Sequence, residues 1–209
     1  RGGSNHQTTR NLSLLCIGLL THREDYIKRL TDDPERGFAY HLAEAVYPDG
    51  IWYEQCMGSY HTGTIDRFLR TRWIADRNGI SLGGDDVLKR MIDTLPAMAL
   101  PGGRLPRIGD VSGEGAASMN RASLFELAYA MYEVPWLGWA LGRMERSDLW
   151  SLLVGRDIGA TAVPEVSSTL FDAAGLCVLK VGERDSYWDC QGAGASITFG
   201  PHGDWHGHA

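Results

Sequence analysis

Three imidazoles and a carboxylate fall within seven positions in the segment Phe199-Gly200-Pro201-His202-Gly203-Asp204-Trp205-His206-Gly207-His208. If this segment is extended, His206 and His208 share a face, because side chains two apart along a strand point the same way. H-x-H spacing presents two nitrogens to one metal, and His202 or Asp204 can add to them. A structural zinc wants four ligands and a catalytic zinc three plus water. The plain alternative is a Gly-rich turn with solvated histidines. A second segment runs from Pro48-Asp49-Gly50-Ile51-Trp52-Tyr53-Glu54 through Gln55-Cys56-Met57-Gly58-Ser59 to Tyr60-His61 and reads as a loop feeding a helix. Its aromatic rings suit stacking on a sugar and its phenol suits proton transfer. Trp52 and Tyr53 as ordinary core, with Tyr60 packing on the next turn, is the competing reading. The third segment, Ser4-Asn5-His6-Gln7, precedes an apolar helix, where Ser4 or Asn5 also fits a simple N-cap.

These residues need elements to hold them. From about residue 5 to about 146 the apolar pattern is mainly helical, broken at Pro34, Pro48-Asp49-Gly50, Gly79, Gly83-Gly84 and Pro101-Gly102-Gly103. The run from Leu12 to Leu20 is too short to cross a bilayer, which takes roughly 20 residues, and reads as a buried helix. Ile65, Phe68, Leu69 and Trp73 recur at helical spacing on one face, and a further helix is expected over 116–131. Beyond Val163-Pro164, Ala173 to Val181 and Tyr187 to Phe199 are rich in strand formers and flank a polar turn at 182–185. Helices followed by strands predict an α+β, multidomain arrangement, with units over 1–150 and 165–209.

Composition narrows the function. Twenty basic against 26 acidic residues give a net charge of −6, which argues against broad binding to nucleic acid, where phosphate neutralisation dominates. An anionic sugar needs only local donors in a cleft. The four scattered cysteines lack the density of a disulfide framework and read as mostly free. The chain opens on Arg1 and closes at Ala209 directly after the His-rich motif, so both ends read as cuts, and compartment does not follow from the lack of a signal peptide.

Together, Asn5-His6, the Asp-Gly-x-x-x-Glu…Tyr-His segment from Asp49 to His61 and the Gly-Pro-His-Gly-x-x-His-Gly-His segment resemble the heparinase II/III-like polysaccharide lyases, including alginate and oligoalginate lyases. The spacing of 54 positions from His6 to Tyr60 fits, and Leu105-Pro106-Arg107-Ile108-Gly109-Asp110 and Phe171-Asp172-Ala173-Ala174-Gly175 extend the likeness along the chain. The resemblance implies the later part of an incomplete (α/α) toroid followed by the first strands of an antiparallel β-sheet domain, with the active site in the cleft between them. It also implies an acidic polysaccharide or oligosaccharide as substrate and no nucleic-acid or membrane partner. A periplasmic or secreted location is expected, or a cytoplasmic one for an oligosaccharide-specific enzyme.

Cutting a 4-linked uronate by β-elimination requires removing the C5 proton, stabilising the enolate-like carboxyl group and protonating the departing O4. Asn5 and His206 supply donors where the negative charge develops. A phenolate with a reference pKa of about 10 lies roughly 4 kcal/mol uphill at neutral pH, which suits Tyr60 to the acid role. His6, with a reference value of about 6.5, is the easier base. In the family, one tyrosine fills both roles when proton and leaving group share a face of the ring. Trp52, Glu54, His61, Arg107 and His202 are expected to contact or organise substrate, with Arg10 a further cation to steer a polyanion. His208 is expected to ligate a structural zinc whose shell lies partly beyond Ala209. Two other readings are an inverting glycoside hydrolase using Glu54 and Asp110, and a sugar-binding module in which the histidines only hold the sheet.

Overall fold

The computed structural model describes residues 4–54, 57–109, 111, 118–119 and 121–199. Its first helix, α1 (Asn5–Thr21), starts where the Ser4 hydroxyl accepts the His6 N–H and ends at His22 in the left-handed region. Thr8, Asn11, Leu15 and Gly18 form its buried stripe, while Ile17 and Leu20 are 47% and 82% exposed. The expected buried helix therefore buries one face only. The run from Leu12 to Leu20 winds apolar side chains around the whole cylinder, and α2 (Glu24–Thr31) and α4 (Thr62–Arg77) cover just one side. Gly18 sits at the crossing with α2, where a Cβ would lie 3.0 Å from Ile27 Cγ1.

Helix α3 (Phe38–Ala45) runs into a short bridge between Val46 and Trp52 that closes around Pro48-Asp49-Gly50. Gly50 has φ +89° and a Cβ there would sit 2.8 Å from the Arg90 carbonyl oxygen, so only glycine makes this turn. In α4, Ile65, Phe68 and Leu69 are buried as expected. Trp73 borders the core edge-to-face with Trp150. Helix α5 (Asp85–Met98) begins with two acidic residues, which favours its N-terminus. The helix expected over 116–131 starts at Ala122 (α6, Ala122–Tyr132); Met119 is buried ahead of it, on the strand-like segment bonded to Gly103. Then come α7 (Pro135–Leu141) and α8 (Leu149–Val154), the latter capped by the Asp148 carboxylate. The helices pack against one another, with α4 touching α1, α5 and α6.

After α8 the chain runs without regular structure to a three-stranded antiparallel sheet in the order β1 (Thr169–Phe171), β2 (Leu176–Val181), β3 (Ala193–Thr198). The register pairs Phe171 with Leu176 and Leu176 with Thr198. Strand β2 begins at Leu176 and not Ala173, because Asp172 to Gly175 forms the turn from β1. The strand expected from Tyr187 is corrected more substantially: Arg184–Trp188 is a helix, α9. Consecutive side chains in a strand face opposite sides, so a strand would bury only one of Tyr187 and Trp188. A helical turn buries both, with the Tyr187 hydroxyl donating to the Ala99 carbonyl at 3.1 Å and Trp188 Nε1 to the Pro164 carbonyl at 3.0 Å. Phe171, Leu176 and Val178 join the same buried apolar cluster as the helices. Among the described residues, Cys16, Cys177 and Cys190 are free and no helix is long and apolar enough to cross a membrane.

Candidate active site

Helix α1 has no acidic residue in its first turn, and a carboxylate from elsewhere fills that role. Glu54 Oε2 accepts the Asn5 backbone N–H at 3.3 Å and the Trp52 indole N–H at 2.6 Å. The Ser4 carbonyl accepts the Gln7 N–H at 2.9 Å. Free N–H groups and the partial positive charge at a helix start favour an anion there. Glu54 thus ties the end of α1 that carries Asn5 and His6 to the loop leading to Tyr60. Asn5 is half-buried and His6 exposed.

Tyr60 lies in a π-helical turn, Met57–His61, that leads directly into α4, and its side chain is half-buried. Such wide single turns recur at functional sites. The next residue is fully buried. His61 Nδ1 accepts the Trp52 backbone N–H at 3.1 Å, so the ring proton sits on Nε2 and is donated to Thr94 Oγ1 at 2.8 Å. Thr94 in turn donates to the Met91 carbonyl at 2.6 Å. Burial drives the His61 pKa down to about 3, so the ring is neutral and its tautomer is set by its neighbours. On the other side of the turn, Gly58 O accepts from Arg121 Nη2 at 2.7 Å and from Thr62 Oγ1 at 3.2 Å.

The sheet is joined to this loop through Asp49. Its Oδ2 accepts the Ala174 N–H at 2.9 Å, while Oδ1 accepts the Ile51 N–H at 3.5 Å within its own turn. One residue further, Gly175 O accepts the Phe199 N–H at 2.7 Å. The described chain therefore enters the His-rich segment two hydrogen bonds from Asp49. His202, Asp204, His206 and His208 lie outside the described residues, as do Cys56 and Asp110.

Two expected substrate contacts are corrected. Trp52 is fully buried, edge-to-face with Phe68, and presents no ring face to a sugar. His61 is equally buried, and both its nitrogens are used inside the protein. Each was a plausible contact because aromatic and imidazole groups in a loop look accessible; here the loop folds over α4. Glu54 bridges the Asn5 backbone and the Trp52 indole. Arg10 and Arg107 are exposed. Three contributors carried no signal by type or spacing: Arg121, Thr94 and the tie from Asp49 to Ala174. Among the described residues no group of three or more His, Cys, Asp or Glu is placed to hold a metal.

No family model matches the chain, and no curated protein matches it. Solved structures do. The heparinase III-BT4657 gene product superposes with a TM-score of 0.69 at 18% identity, over 99% of this chain and 30% of that one. A crystal structure of heparinase III gives 0.64 at 18% identity, over 87% and 28%. Heparan sulfate lyase HepC from Pedobacter heparinus gives 0.58 at 17% identity, over 92% and 27%. The chain thus has the fold of part of these proteins and spans at most 30% of the length of the three named here.

Proposed function

We propose that this chain is part of a polysaccharide lyase that cleaves a 4-linked, uronate-containing polysaccharide by β-elimination. The observation that carries this reading is the Glu54 junction, which joins the Asn5-His6 end of α1 to the loop bearing Tyr60. The fold likeness to heparinases and the course of β3 toward the His-rich segment support it. In this reading the helical layer is a section of an (α/α) toroid.

The substrate carboxylate receives donors from Asn5 and His206, which stabilise the charge that builds up as C5 loses its proton. His6 takes that proton when it lies on the face opposite the leaving group. The C5–H electron pair becomes the C4=C5 double bond, the C4–O4 bond breaks, and Tyr60 protonates O4. When both groups share a face, Tyr60 removes the C5 proton as phenolate and returns it to O4. His61 is too deeply buried to share in this and holds the turn instead.

Glycosaminoglycan is one substrate candidate, since the similar structures include a protein named for heparan sulfate. Alginate or its oligomers is the other, on the form of the Gly-Pro-His-Gly-x-x-His-Gly-His segment. Incubation with a panel of both polymer types, followed by ultraviolet detection of unsaturated uronate, tests the reading. Appearance of the conjugated product supports it, whereas saturated new ends would point to hydrolysis and overturn it. The H-x-H spacing further proposes His208 as a zinc ligand. Elemental analysis should find zinc retained by the whole lyase of which this chain is part and reduced in its His208→Ala variant; equal content in both rejects that role.

A further inference from the structure

We propose that Arg121 is a positioning residue for the elimination, setting the reach of Tyr60 by gripping the carbonyl of Gly58; this rests on the lyase reading above. In a regular α-helix that carbonyl would take the backbone N–H four residues on, and in a π-turn the bond moves to the fifth. Here Gly58 O accepts from the Arg121 guanidinium at 2.7 Å and shares the Thr62 hydroxyl, at 3.2 Å, with Ser59 O at 3.4 Å. A carbonyl oxygen has two lone pairs, so side-chain donors can meet it where a wide turn displaces the regular helical bond, and they favour that turn. Tyr60 therefore stands between two anchored residues. Gly58 is held by Arg121, the residue just ahead of α6, and His61 is held by the Trp52 N–H and Thr94.

Arg121 also lies within the field of Asp66. Burial lowers its pKa while Asp66, one turn into α4, raises it, and a guanidinium stays protonated under both influences. Asp66 is pushed up by burial and held back by Arg70, Arg67 and Arg121; its Oδ2 pairs with Arg70 Nε at 2.9 Å, and Arg70 lies over the Trp150 ring at 5.0 Å. The line Gly58, Arg121, Asp66, Arg70, Trp150 connects the tyrosine turn to α8 across α4. Arg121 needs no contact with substrate to act this way.

The test uses the full chain, with 19F-labelled tyrosine reporting Tyr60 and kinetics on whichever uronate polymer is cut. Arg121→Met keeps the aliphatic stem and removes the donors. It should shift the Tyr60 resonance, lower kcat on the order of 10²-fold, as expected for a misplacement near 1 Å, and leave KM within about twofold. Arg121→Lys, which restores a charged donor, should recover part of kcat and move the resonance back. An unmoved resonance in Arg121→Met overturns the proposal even if no polymer is cut, and so does unchanged kcat, or equal loss in the Met and Lys variants. Should Arg121→Met fail to fold, Arg121→Gln with one neutral donor serves in its place under the same criteria. Absence of unsaturated product in the wild type would count against the lyase reading alone.

Discussion

Acidification should loosen the Tyr60 turn through His61. The imidazole titrates near 6.5 in an unfolded chain and at about 3 in the folded one, because burial disfavours its charged form. The unfolded state therefore binds the extra proton first. Stability is fully present above about pH 6.5 and is lost as pH falls toward 3, to a total of about 5 kcal/mol at ~1.36 kcal/mol per pH unit. By pH 5 about 2 kcal/mol of this is already gone relative to pH 8. Denaturant unfolding at pH 8 and pH 5 measures it. His61→Gln should be less stable at pH 8, having lost the pairing with the Trp52 N–H and Thr94, yet its stability should fall by about 2 kcal/mol less between the two pH values. Nitrogen shifts of the ring should show the Nε2–H tautomer with no protonation down to pH 5. If wild type and variant lose stability in parallel, or if the ring titrates near 6.5, the buried relay from Trp52 to Met91 is not what holds this turn.

Tyr60→Phe should fold normally, with KM little changed and kcat reduced 10²–10⁴-fold, the usual range for a general acid; near-wild-type turnover on every polymer cut would remove Tyr60 from the mechanism. Glu54→Ala leaves the Trp52 indole N–H buried without its carboxylate and strips the anion from the start of α1, so a loss of about 2 kcal/mol is expected in thermal or denaturant unfolding, and Glu54→Gln should restore most of it. Lys180 sits on the inner face of β2 against Tyr187 and Trp188, with its ammonium on the Pro96 carbonyl, and burial brings its pKa down to about 8. Its folded value lies below the unfolded one, so the charged form burdens the fold below pH 8 and the burden lifts as pH rises toward 10.5. The stability of Lys180→Met relative to wild type should thus decline by about 2.5 kcal/mol between pH 7 and pH 10, and a pH-independent difference would contradict the assignment.

Local pattern accounts for a definable part of this protein. The spacing of Ile65, Phe68 and Leu69 places them on the buried face of α4, the serine before Asn5 caps α1, and Asp49-Gly50 makes the turn that only glycine allows. Each is written within one or two turns of chain, where propensity and periodicity act. The segments containing Asn5, Glu54 and Tyr60 stand out for the same reason, since residue types at short spacing are read directly along the chain.

What covers a face, and which distant group reaches it, is decided only in three dimensions. Leu20 and Leu15 have the same apolar chemistry five positions apart, yet one is largely exposed and the other wholly buried, because α2 and α4 lie on a single side of α1. Tyr187 and Trp188 have the composition of a strand and form a helix, which sets adjacent side chains about 100° apart and not on opposite faces, so both rings reach the core. Trp52 and His61 look like substrate contacts until the loop that bears them packs onto α4 and α5. The bonds that assemble the site join residues 49, 63 and 125 positions apart, Asn5 to Glu54, Gly58 to Arg121 and Asp49 to Ala174. At such separations periodicity holds no record of the partner; burial selects it, because a polar group taken out of water must be met by another wherever along the chain that one lies.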